Sequence, residues 1–404
     1  TQVAGRRQRQ MCIRDSDGTL SIAGSTISGN SSGYRGGAVF NADGTVMIAG
    51  STLSNNSANE GGAVYNDIFE VLSVVNSEFS NNSSLTEGGA IFNRGDLDVS
   101  GSVFSRNLAV QDGGGIFNEN DGFLDVTNSN LVHNSANNGG GVYNDGGSAS
   151  IVDTTLAANS ATVFGGAVRN LGGTLYVGGS SLSSNSAQIG GALDVQGLAT
   201  ATITGSTFTG NTARISGGGI HIFRSTVDFT NSTVLNSSAR SGGGISNSGA
   251  LDMVGVTLSG NSAERNGGGI SSRGTLEIID GSLSGNTASS NGGGIFNYDG
   301  GSSFFPGTLN VADTAFASNS AEYGGGLSNA GGDVTTIDSG FSANTASEWG
   351  GGIANFSGGT LNIIRTTLSS NSADDWGGGI YQEDNGTANI ADSTLSGNSA
   401  GDVG

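Results

Sequence analysis

Acidic and aromatic residues occur together at a constant spacing near the carboxyl end of the chain. Three acid–aromatic pairs precede glycine pairs, at intervals of 26 and 27 residues: Glu322-Tyr323, Glu348-Trp349 and Asp375-Trp376. A sugar ring offers an apolar face and hydroxyl donors, so an aromatic face flanked by carboxylates suits it. These six residues are therefore predicted to bind a ligand, and simple stacking of turn residues is the structural alternative.

A second aromatic series lies nearer the amino end. On five successive repeats an aromatic residue follows the aliphatic residue of a glycine-rich tetrad: Phe40, Tyr65, Phe92, Phe117 and Tyr143. Because side chains alternate between the two faces of a strand, a residue next to an inward aliphatic should point outward. The series predicts a solvent-facing stripe about 20 Å long. It would be either a stabilising stack or a contact surface for a partner or a sugar chain.

The same column continues with three polar residues that could act on a substrate. Arg169, Asp194 and His221 follow at one-repeat spacing, and together they could bind and protonate an acidic polysaccharide. A glycoside hydrolase needs paired carboxylates, however, and this trio has only one. The insertion at residues 298–306 adds only Asp299. Catalysis is therefore the alternative hypothesis, and a ladder of surface ion pairs is the simpler explanation.

The sequence predicts neither a metal site nor a cofactor site. The histidines, His133 and His221, fall in different columns, and the single cysteine, Cys12, cannot form a cysteine pair. Ice binding is a weaker alternative, suggested by a hydroxyl ladder at Ser25-Thr26, Ser51-Thr52, Ser206-Thr207 and Ser393-Thr394. That function requires a regular flat array, which is interrupted at Glu78, Val103 and Asn130.

The composition excludes several classes of protein. The 404 residues include 74 glycines, one proline and no lysine, and the net charge is −20. A basic surface for nucleic acid cannot be built from 14 arginines against 34 acidic residues. Without lysine the chain has neither a P-loop nor a Schiff-base nucleophile. No apolar run approaches the roughly 18 residues of a membrane-spanning helix, so we expect no membrane insertion by this segment.

Two signatures recur along the chain and predict a solenoid. A Gly-Gly-[Ala/Gly]-[Ile/Val/Leu] tetrad repeats every 25 to 27 residues, apart from one interval of 32. A [Leu/Phe/Ile]-x-x-Asn motif keeps the same step, from Ile27 and Asn30 to Leu395 and Asn398, with one lapse where Ser237 replaces the asparagine. A fixed period of this length indicates coils that stack on one another and share a continuous core.

Each coil is expected to contain three short strands, because apolar residues alternate and helical spacing does not occur. Equivalent strands of successive coils would pair in parallel register, giving about fifteen coils of 25–27 residues and a rod about 70 Å long. The glycine pair suits a corner with positive φ. Asparagines at one corner can donate to a carbonyl of one neighbouring coil and accept from the other, which satisfies buried turn backbone.

Residues 1–16 do not share this pattern. They contain four of the 14 arginines and Cys12, and they resemble a translated sequencing adapter more than a targeting segment, since no apolar stretch follows the arginines. We expect a non-native or disordered leader at 1–16 and one repeat domain at 17–404, truncated at both ends.

The tetrad and the Phe-x-x-Asn motif resemble the polymorphic outer-membrane protein repeat. The runs GTLSIAGSTISGNSSGYRGGAVFN and GTLNIIRTTLSSNSADDWGGGIYQ are also similar to the bacterial surface proteins called choice-of-anchor Q proteins. This resemblance implies a right-handed, single-stranded parallel β-helix, which is often the exported passenger of an adhesin or autotransporter. Surface display and anchoring of the full-length protein to the outer membrane or cell wall would follow.

The function expected from these observations is presentation of an extended surface, without catalysis. The partners would be an extracellular glycan or a protein of a host or neighbouring cell, and nucleic acid is not among them. The alternative is a polysaccharide lyase or glycoside hydrolase of the pectin-lyase-like fold, because many right-handed β-helices cleave acidic polysaccharides.

Overall fold

The computed structural model describes residues 18–301, 307–383 and 385–402. Within these ranges the chain consists of strands and turns, without a helix. The strands wind into a right-handed parallel β-helix of about fourteen turns with three sheets, here named A, B and C. The predicted fold is therefore confirmed. The leader at 1–16 and part of the insertion at 298–306 lie outside the described residues.

In each turn the chain passes through sheet B, sheet C and sheet A in that order. The strands of sheet B are Thr26–Ser28, Thr52–Ser54, Glu78–Ser80, Val103–Ser105, Asn130–Val132, Thr155–Ala157, Ser181–Ser183, Thr207–Thr209, Thr233–Leu235, Thr257–Ser259, Ser282–Ser284, Ala315–Ala317, Gly340–Ser342, Thr367–Ser369 and Thr394–Ser396. Those of sheet C are Ser57–Ala58, Ser83–Ser84, Leu108–Ala109, Ser135–Asn138, Ser160–Phe164, Ser186–Ile189, Thr212–Ser216, Ser238–Ser241, Ser262–Asn266, Thr287–Ala288, Ser320–Tyr323, Thr345–Trp349, Ser372–Ala373 and Ser399–Ala400.

Sheet A receives a short and a long strand from most turns. The short strands are Val39–Asn41, Val64–Asn66, Ile91–Asn93, Ile116–Asn118, Val142–Asp145, Val168–Leu171, Leu193–Gln196, Ile270–Ser272, Ile295–Tyr298, Leu327–Ala330, Ile353–Phe356 and Ile380–Gln382. The long strands are Gly18–Ala23, Gly44–Ala49, Val71–Val75, Asp96–Ser100, Phe123–Thr127, Ser148–Val152, Thr174–Gly178, Thr200–Thr204, Thr275–Ile279, Thr308–Ala312, Asp333–Ile337, Thr360–Ile364 and Thr387–Ala391. In two turns both are merged, as Ile220–Thr230 and Ile245–Val254.

The core is a set of apolar columns inside the solenoid. A typical turn contributes two residues from its long sheet A strand, one from sheet B, an alanine from sheet C and one from its short sheet A strand. In one such turn these are Leu97, Val99, Phe104, Ala109 and Ile116, each at most 1% exposed. Each turn buries these side chains only by contact with its neighbours, as the sequence period indicates.

The glycine pair forms the corner between sheets C and A. Gly61 has φ of 63°, and a Cβ there would lie 2.3 Å from the carbonyl oxygen of Val64. A Cβ on Gly62 would lie 2.1 Å from the carbonyl oxygen of Gly89 in the next turn. The first glycine is therefore required by its backbone conformation, and the second by the close approach of two turns.

The asparagine of the Leu-x-x-Asn motif forms a buried ladder between sheets B and C. The Nδ2 of Asn82 donates to the carbonyl oxygen of Leu53 in the preceding turn at 2.9 Å and to Oδ1 of Asn107 in the following turn at 3.0 Å. The same Oδ1 also accepts from the backbone N–H of Asn82. The sequence predicts this ladder in outline, but Asn82 accepts from Asn56 in the same preceding turn to whose Leu53 carbonyl it donates, and not from the other neighbour.

A second asparagine ladder, which the sequence analysis missed, lies within sheet A. Asn93 follows the outward aromatic Phe92, and its Nδ2 donates to Oδ1 of Asn118 at 2.7 Å and to the carbonyl oxygen of Gly95 at 2.8 Å. These bonds pair the backbone where the short strand ends. The recurring sequence aliphatic–aromatic–Asn was a visible signal of this ladder.

Serine and threonine form a third inward ladder, between sheets A and B. The Oγ of Ser51 donates to the carbonyl oxygen of Ala49 at 2.9 Å and accepts from the backbone N–H of Ser25 at 3.1 Å. Ser51 and Ser206 are only 3% and 1% exposed. The serine of the Ser51-Thr52 and Ser206-Thr207 pairs therefore points into the solenoid, so that half of the hydroxyl groups of these pairs, which were considered for ice binding, do not face solvent.

The asparagine ladder should make a large contribution to stability. Replacing Asn107 by alanine removes the Oδ1 that accepts from both the backbone N–H and the Nδ2 of Asn82, and the Nδ2 that donates to the carbonyl oxygen of Phe79. We therefore expect a loss of about 3 kcal/mol in the free energy of unfolding. Urea unfolding followed by circular dichroism would measure it. The matched control is Asn310→Ala on the exposed face of a strand; an equal loss in both variants would contradict a special role for the ladder.

Candidate functional site

A groove runs along the outside of the solenoid beside the glycine corner. Its floor is the outward column of the short sheet A strands. The sheet C wall is the residue before each glycine pair, and the sheet A wall is the residue two positions after the floor residue. Arg35 spans the groove: from the sheet C wall its Nε contacts Oε2 of Glu60 at 3.0 Å, and its Nη1 lies 4.0 Å from Oδ2 of Asp67 on the sheet A wall.

The floor is a continuous column in parallel register. Its members are Phe40, Tyr65, Phe92, Phe117, Tyr143, Arg169, Asp194, His221, Ser246, Ser271, Phe296, Ser328, Ala354 and Tyr381. The five residues predicted as the aromatic stripe and the three predicted as the polar trio thus belong to one surface feature.

The prediction that the aromatic stripe faces solvent is wrong. Tyr65 is fully buried, Phe92, Phe117 and Tyr143 are each 4% exposed, and Phe40 is half-buried. Ring centroids of neighbours lie 4.8–5.4 Å apart, and the wall side chains cover the rings from above. Strand alternation correctly places this column outside the solenoid core, but it does not reveal the walls. Burial raises the pKa of the Tyr65 hydroxyl to about 12, so this hydroxyl stays neutral.

Arg169, Asp194 and His221 are brought together, as predicted, but they are not surface charges. Asp194 is fully buried, and its Oδ1 lies 2.7 Å from Nδ1 of His221 and accepts from Nε2 of Gln196 at 3.0 Å. Nε of Arg169 lies 3.7 Å from Oδ2 of Asp194. Neither of these two atoms forms a hydrogen bond with another described residue.

The Arg169 guanidinium also lies against aromatic rings. It is 4.3 Å from the ring centroid of Phe164 and 5.2 Å from that of Tyr143. These contacts join the aromatic part of the floor to its polar part through cation–π interactions. The trio is therefore a packed polar layer within the groove, and the simpler explanation of an exposed ion-pair ladder does not apply.

The walls above the aromatic floor carry six carboxylates, a feature that the sequence analysis missed. Three of them contact arginine: Glu60 pairs with Arg35, and Asp67 and Glu119 pair with Arg94. The signal in the sequence was an acid directly before the glycine pair in three successive repeats, at Glu60, Glu87 and Asp112. The sequence analysis had recognised that position only near the carboxyl end.

The other three carboxylates are Glu87, Asp112 and Asp145. No arginine among the described residues forms an ion pair with them, although the charge of Arg169 is close enough to favour the ionised forms of Asp112 and Asp145 and so to oppose the rise of their pKa. Burial raises the pKa of all three, and the negative charge of Asp112 further raises the pKa of Glu87 and Asp145. Carboxylates whose pKa values are raised by burial and by like-charged neighbours in a cleft are candidates for a functional site.

The acid–aromatic pairs lie on the sheet C wall near the carboxyl end. Ring centroids of Tyr323 and Trp349 are 4.9 Å apart, and those of Trp349 and Trp376 are 5.4 Å apart with nearly parallel planes. The stack continues into the floor, because the ring of Trp349 lies 5.0 Å from that of Tyr381. Trp376 is 39% exposed. These rings therefore form an aromatic stack along the sheet C wall in which no ring is fully buried.

The acidic partners of these rings are also accessible. Glu322, Glu348 and Asp375 are half-buried. Partial burial and a hydrogen bond with Glu322 raise the pKa of Tyr323. The six residues predicted as a ligand site thus lie along one stretch of the groove on its sheet C side, and whether they bind a ligand stays a prediction.

The part of the chain that the structure describes contains no group of three His, Cys, Asp or Glu residues arranged to hold a metal ion. It likewise contains no helix long and apolar enough to cross a bilayer.

Removing one charge from the unpaired acids should stabilise the fold in a pH-dependent way. A carboxyl whose pKa is raised by folding stabilises the native state as pH falls through that raised pKa, because the native state binds the proton first. Asp112→Asn should therefore raise the free energy of unfolding at pH 7 by about 0.5 kcal/mol, a small value because solvent screens half-exposed groups. The gain over wild type should shrink towards pH 5.

Thermal unfolding across this pH range would measure the effect. Glu264→Gln, at an exposed position away from the groove, is the control for the loss of one negative charge. A less stable Asp112→Asn variant at pH 7 would show that Arg169 and Asn138 more than compensate the repulsion.

Comparison with known proteins finds one family. Residues 50–67, 76–94, 205–222 and 255–273 match the Chlamydia polymorphic membrane protein repeat. Neither a curated protein nor a solved structure gives a significant match. Each matched segment runs from sheet B through the asparagine ladder and the glycine pair to the floor of the groove. In the part of the coil that builds the groove, the chain therefore resembles the polymorphic membrane proteins of Chlamydia, as the sequence motifs indicate.

Proposed function

We propose that this chain is the displayed segment of a bacterial surface protein, similar to the passenger of an autotransporter, and that it acts by binding along the groove. The repeat matches a family whose name refers to membrane proteins. A solenoid of regular columns also offers a long surface on which each turn presents one set of side chains to a ligand. An extracellular location and attachment of the full-length protein to the outer membrane or cell wall belong to this proposal.

The observation that carries the proposal is the aromatic stack of Tyr323, Trp349 and Trp376. Its three rings lie on successive turns of the groove wall and none is fully buried, in contrast to the floor rings Tyr65, Phe92, Phe117 and Tyr143, and the planes of Trp349 and Trp376 are nearly parallel, at 8°. Partly exposed indole rings beside the half-buried carboxylates Glu348 and Asp375 match the apolar faces and hydroxyl groups of sugars. Successive turns are about 4.8 Å apart, so successive sugar units of an extended glycan would contact successive turns of the solenoid.

The preferred partner is therefore an extracellular glycan. A protein of a host or neighbouring cell is the other partner that this surface could accept, because exposed tryptophan and tyrosine are common anchors in protein interfaces. The two partners differ in what they need from the groove. A glycan should follow several turns of the stack, whereas a protein could bind beyond the groove as well.

Substituting both tryptophans should abolish binding without unfolding the rod. We expect Trp349→Ala/Trp376→Ala to lose glycan binding at least tenfold, because the stacking faces are removed. Its melting temperature should fall by only a few degrees, since Trp376 is exposed and both residues lie outside the core. A glycan array followed by tryptophan fluorescence of the wild type would identify the ligand.

Tyr176→Ala is the matched control, because Tyr176 is a comparably exposed aromatic (40%) that lies outside the groove. If the double variant unfolds, the stack is structural. If glycan binding survives the double variant, the site must be sought elsewhere in the groove.

Polysaccharide cleavage remains a second candidate because of one observation. The Nδ1 of His221 lies 2.7 Å from the buried carboxylate of Asp194, and this contact is typical of a histidine that is oriented as a general base or acid. Such an arrangement fixes the tautomer of a histidine and leaves Nε2 for proton transfer. The surface family to which the repeats are similar favours binding over catalysis.

Catalysis can be tested directly with anionic polysaccharides. We expect wild-type protein to release neither reducing ends nor unsaturated sugars from them. Release that is lost in Asp194→Ala, and kept in the exposed control Asp228→Asn on the neighbouring strand, would establish the enzyme instead.

A further inference from the structure

A polar cavity lies above the aromatic floor, far from the tryptophan stack. It has a volume of about 380 Å³, and its lining includes Tyr65, Glu87, Phe117, Asp112 and Asp145. The three carboxylates come from both walls: Glu87 and Asp112 from the sheet C wall, and Asp145 from the sheet A wall. They therefore converge on one space from opposite sides.

We propose that Glu87, Asp112 and Asp145 bind the primary ammonium groups of an elongated organic cation that lies in the groove. The inference does not depend on glycan binding by the tryptophan stack, and it concerns different turns of the solenoid.

Charge is the first argument. The lining contains five of the six wall carboxylates, all except Asp67, against Arg35 and Arg94, and these arginines already contact Glu60, Asp67 and Glu119. The remaining trio has no ion-pair partner among the described residues. Half-buried carboxylates that repel one another are stabilised by a ligand that brings positive charge.

Unsatisfied polar atoms in the same place are the second, independent argument. The Tyr65 side chain is fully buried and lines the cavity; its hydroxyl interacts with Arg94, yet it forms no hydrogen bond of normal geometry with any described residue. Asn138 donates Nδ2 to Oδ1 of Asp112 at 2.7 Å, while its own buried Oδ1 accepts from no described residue. Buried polar atoms are normally paired, so these two mark where hydrogen-bond partners are missing.

The ligand must supply N–H donors as well as charge. Asn138 Oδ1 and the carboxylates are acceptors, and a primary ammonium group offers three donors in one compact charge. A metal ion would need three ligands close around one point, and no such group occurs in the described residues. An organic ammonium suits the wider separation, because its donors radiate from the nitrogen.

The shape of the site favours an elongated ligand. Glu87 and Asp112 form a parallel bridge on adjacent turns of one wall, about 4.8 Å apart along the axis, and Asp145 lies across the groove one turn further on. A linear polyamine places ammonium groups at comparable intervals along a flexible chain. Lysine side chains of an extended segment carry the same group, and the test must separate these two sources.

The experiment is calorimetric titration of the whole chain with spermidine at low ionic strength. We expect binding by the wild type and about tenfold weaker binding by Asp112→Asn and by Asp145→Asn, since each loses a charge-assisted hydrogen bond. Asn at position 112 can still accept from Asn138, so folding should be preserved, and melting temperatures would verify this.

Asp125→Asn is the matched control. The negative charge of Asp125 also raises the pKa of a like-charged neighbour, Asp98, but Asp125 lies on the exposed face of sheet A, outside the groove. An equal loss of affinity in this variant would overturn the proposal, since the binding would then be diffuse attraction to a negative protein. Displacement of spermidine by Mg²⁺ at equal charge concentration, or absence of spermidine binding to the wild type, would overturn it too.

A second titration identifies the source of the ammonium group. A lysine-rich peptide that displaces spermidine, and binds with the same dependence on Asp112 and Asp145, would assign the site to protein ligands. A peptide that fails to displace spermidine would assign it to free polyamines.

Discussion

Every turn of this protein is held by hydrogen bonds that run along the axis to the turns before and after it. The strands pair in parallel without slippage through most of the rod, and three buried side-chain ladders repeat the same axial direction between the strands. Asn82, for example, contacts one turn through Leu53 and the other through Asn107. Because each turn fixes the position of the next, a residue type that recurs in sequence becomes a straight column in space.

The groove follows from this constraint. Glycine pairs hold the corner between sheets C and A close to the neighbouring turns, and the short sheet A strand ends at the second asparagine ladder, as at Asn93 directly after the floor residue Phe92. The outward column of that short strand is therefore enclosed between two other columns. Its chemistry changes along the rod from an aromatic floor with acidic walls, through the Arg169–Asp194–His221 layer, to the aromatic stack around Trp349.

The sequence predicted the fold well because the fold is periodic. Aliphatic residues, glycine pairs and the Leu-x-x-Asn asparagines each recur once per turn, and their physical roles are local. The rings of Tyr323, Trp349 and Trp376 were correctly expected near stacking distance for the same reason.

Exposure was harder to predict, because it depends on residues that are distant along the turn. Phe92 points away from the core, as alternation requires, yet wall residues such as Glu87 and Arg94 cover it. The same missing information hid the convergence of Asp112 and Asp145, which belong to different walls. A sequence period fixes columns along the axis, but the curvature of each turn decides which columns face one another.

The coil is also a unit of length. Nine turns separate Phe117, beneath the unpaired acids, from Ala354, beside the tryptophan stack, which is about 43 Å along the axis. Gain or loss of one repeat would change this distance by a single fixed step while leaving the chemistry at both ends intact. A protein built in this way can match ligands of different span by changing the number of its repeats, without redesigning any binding residue.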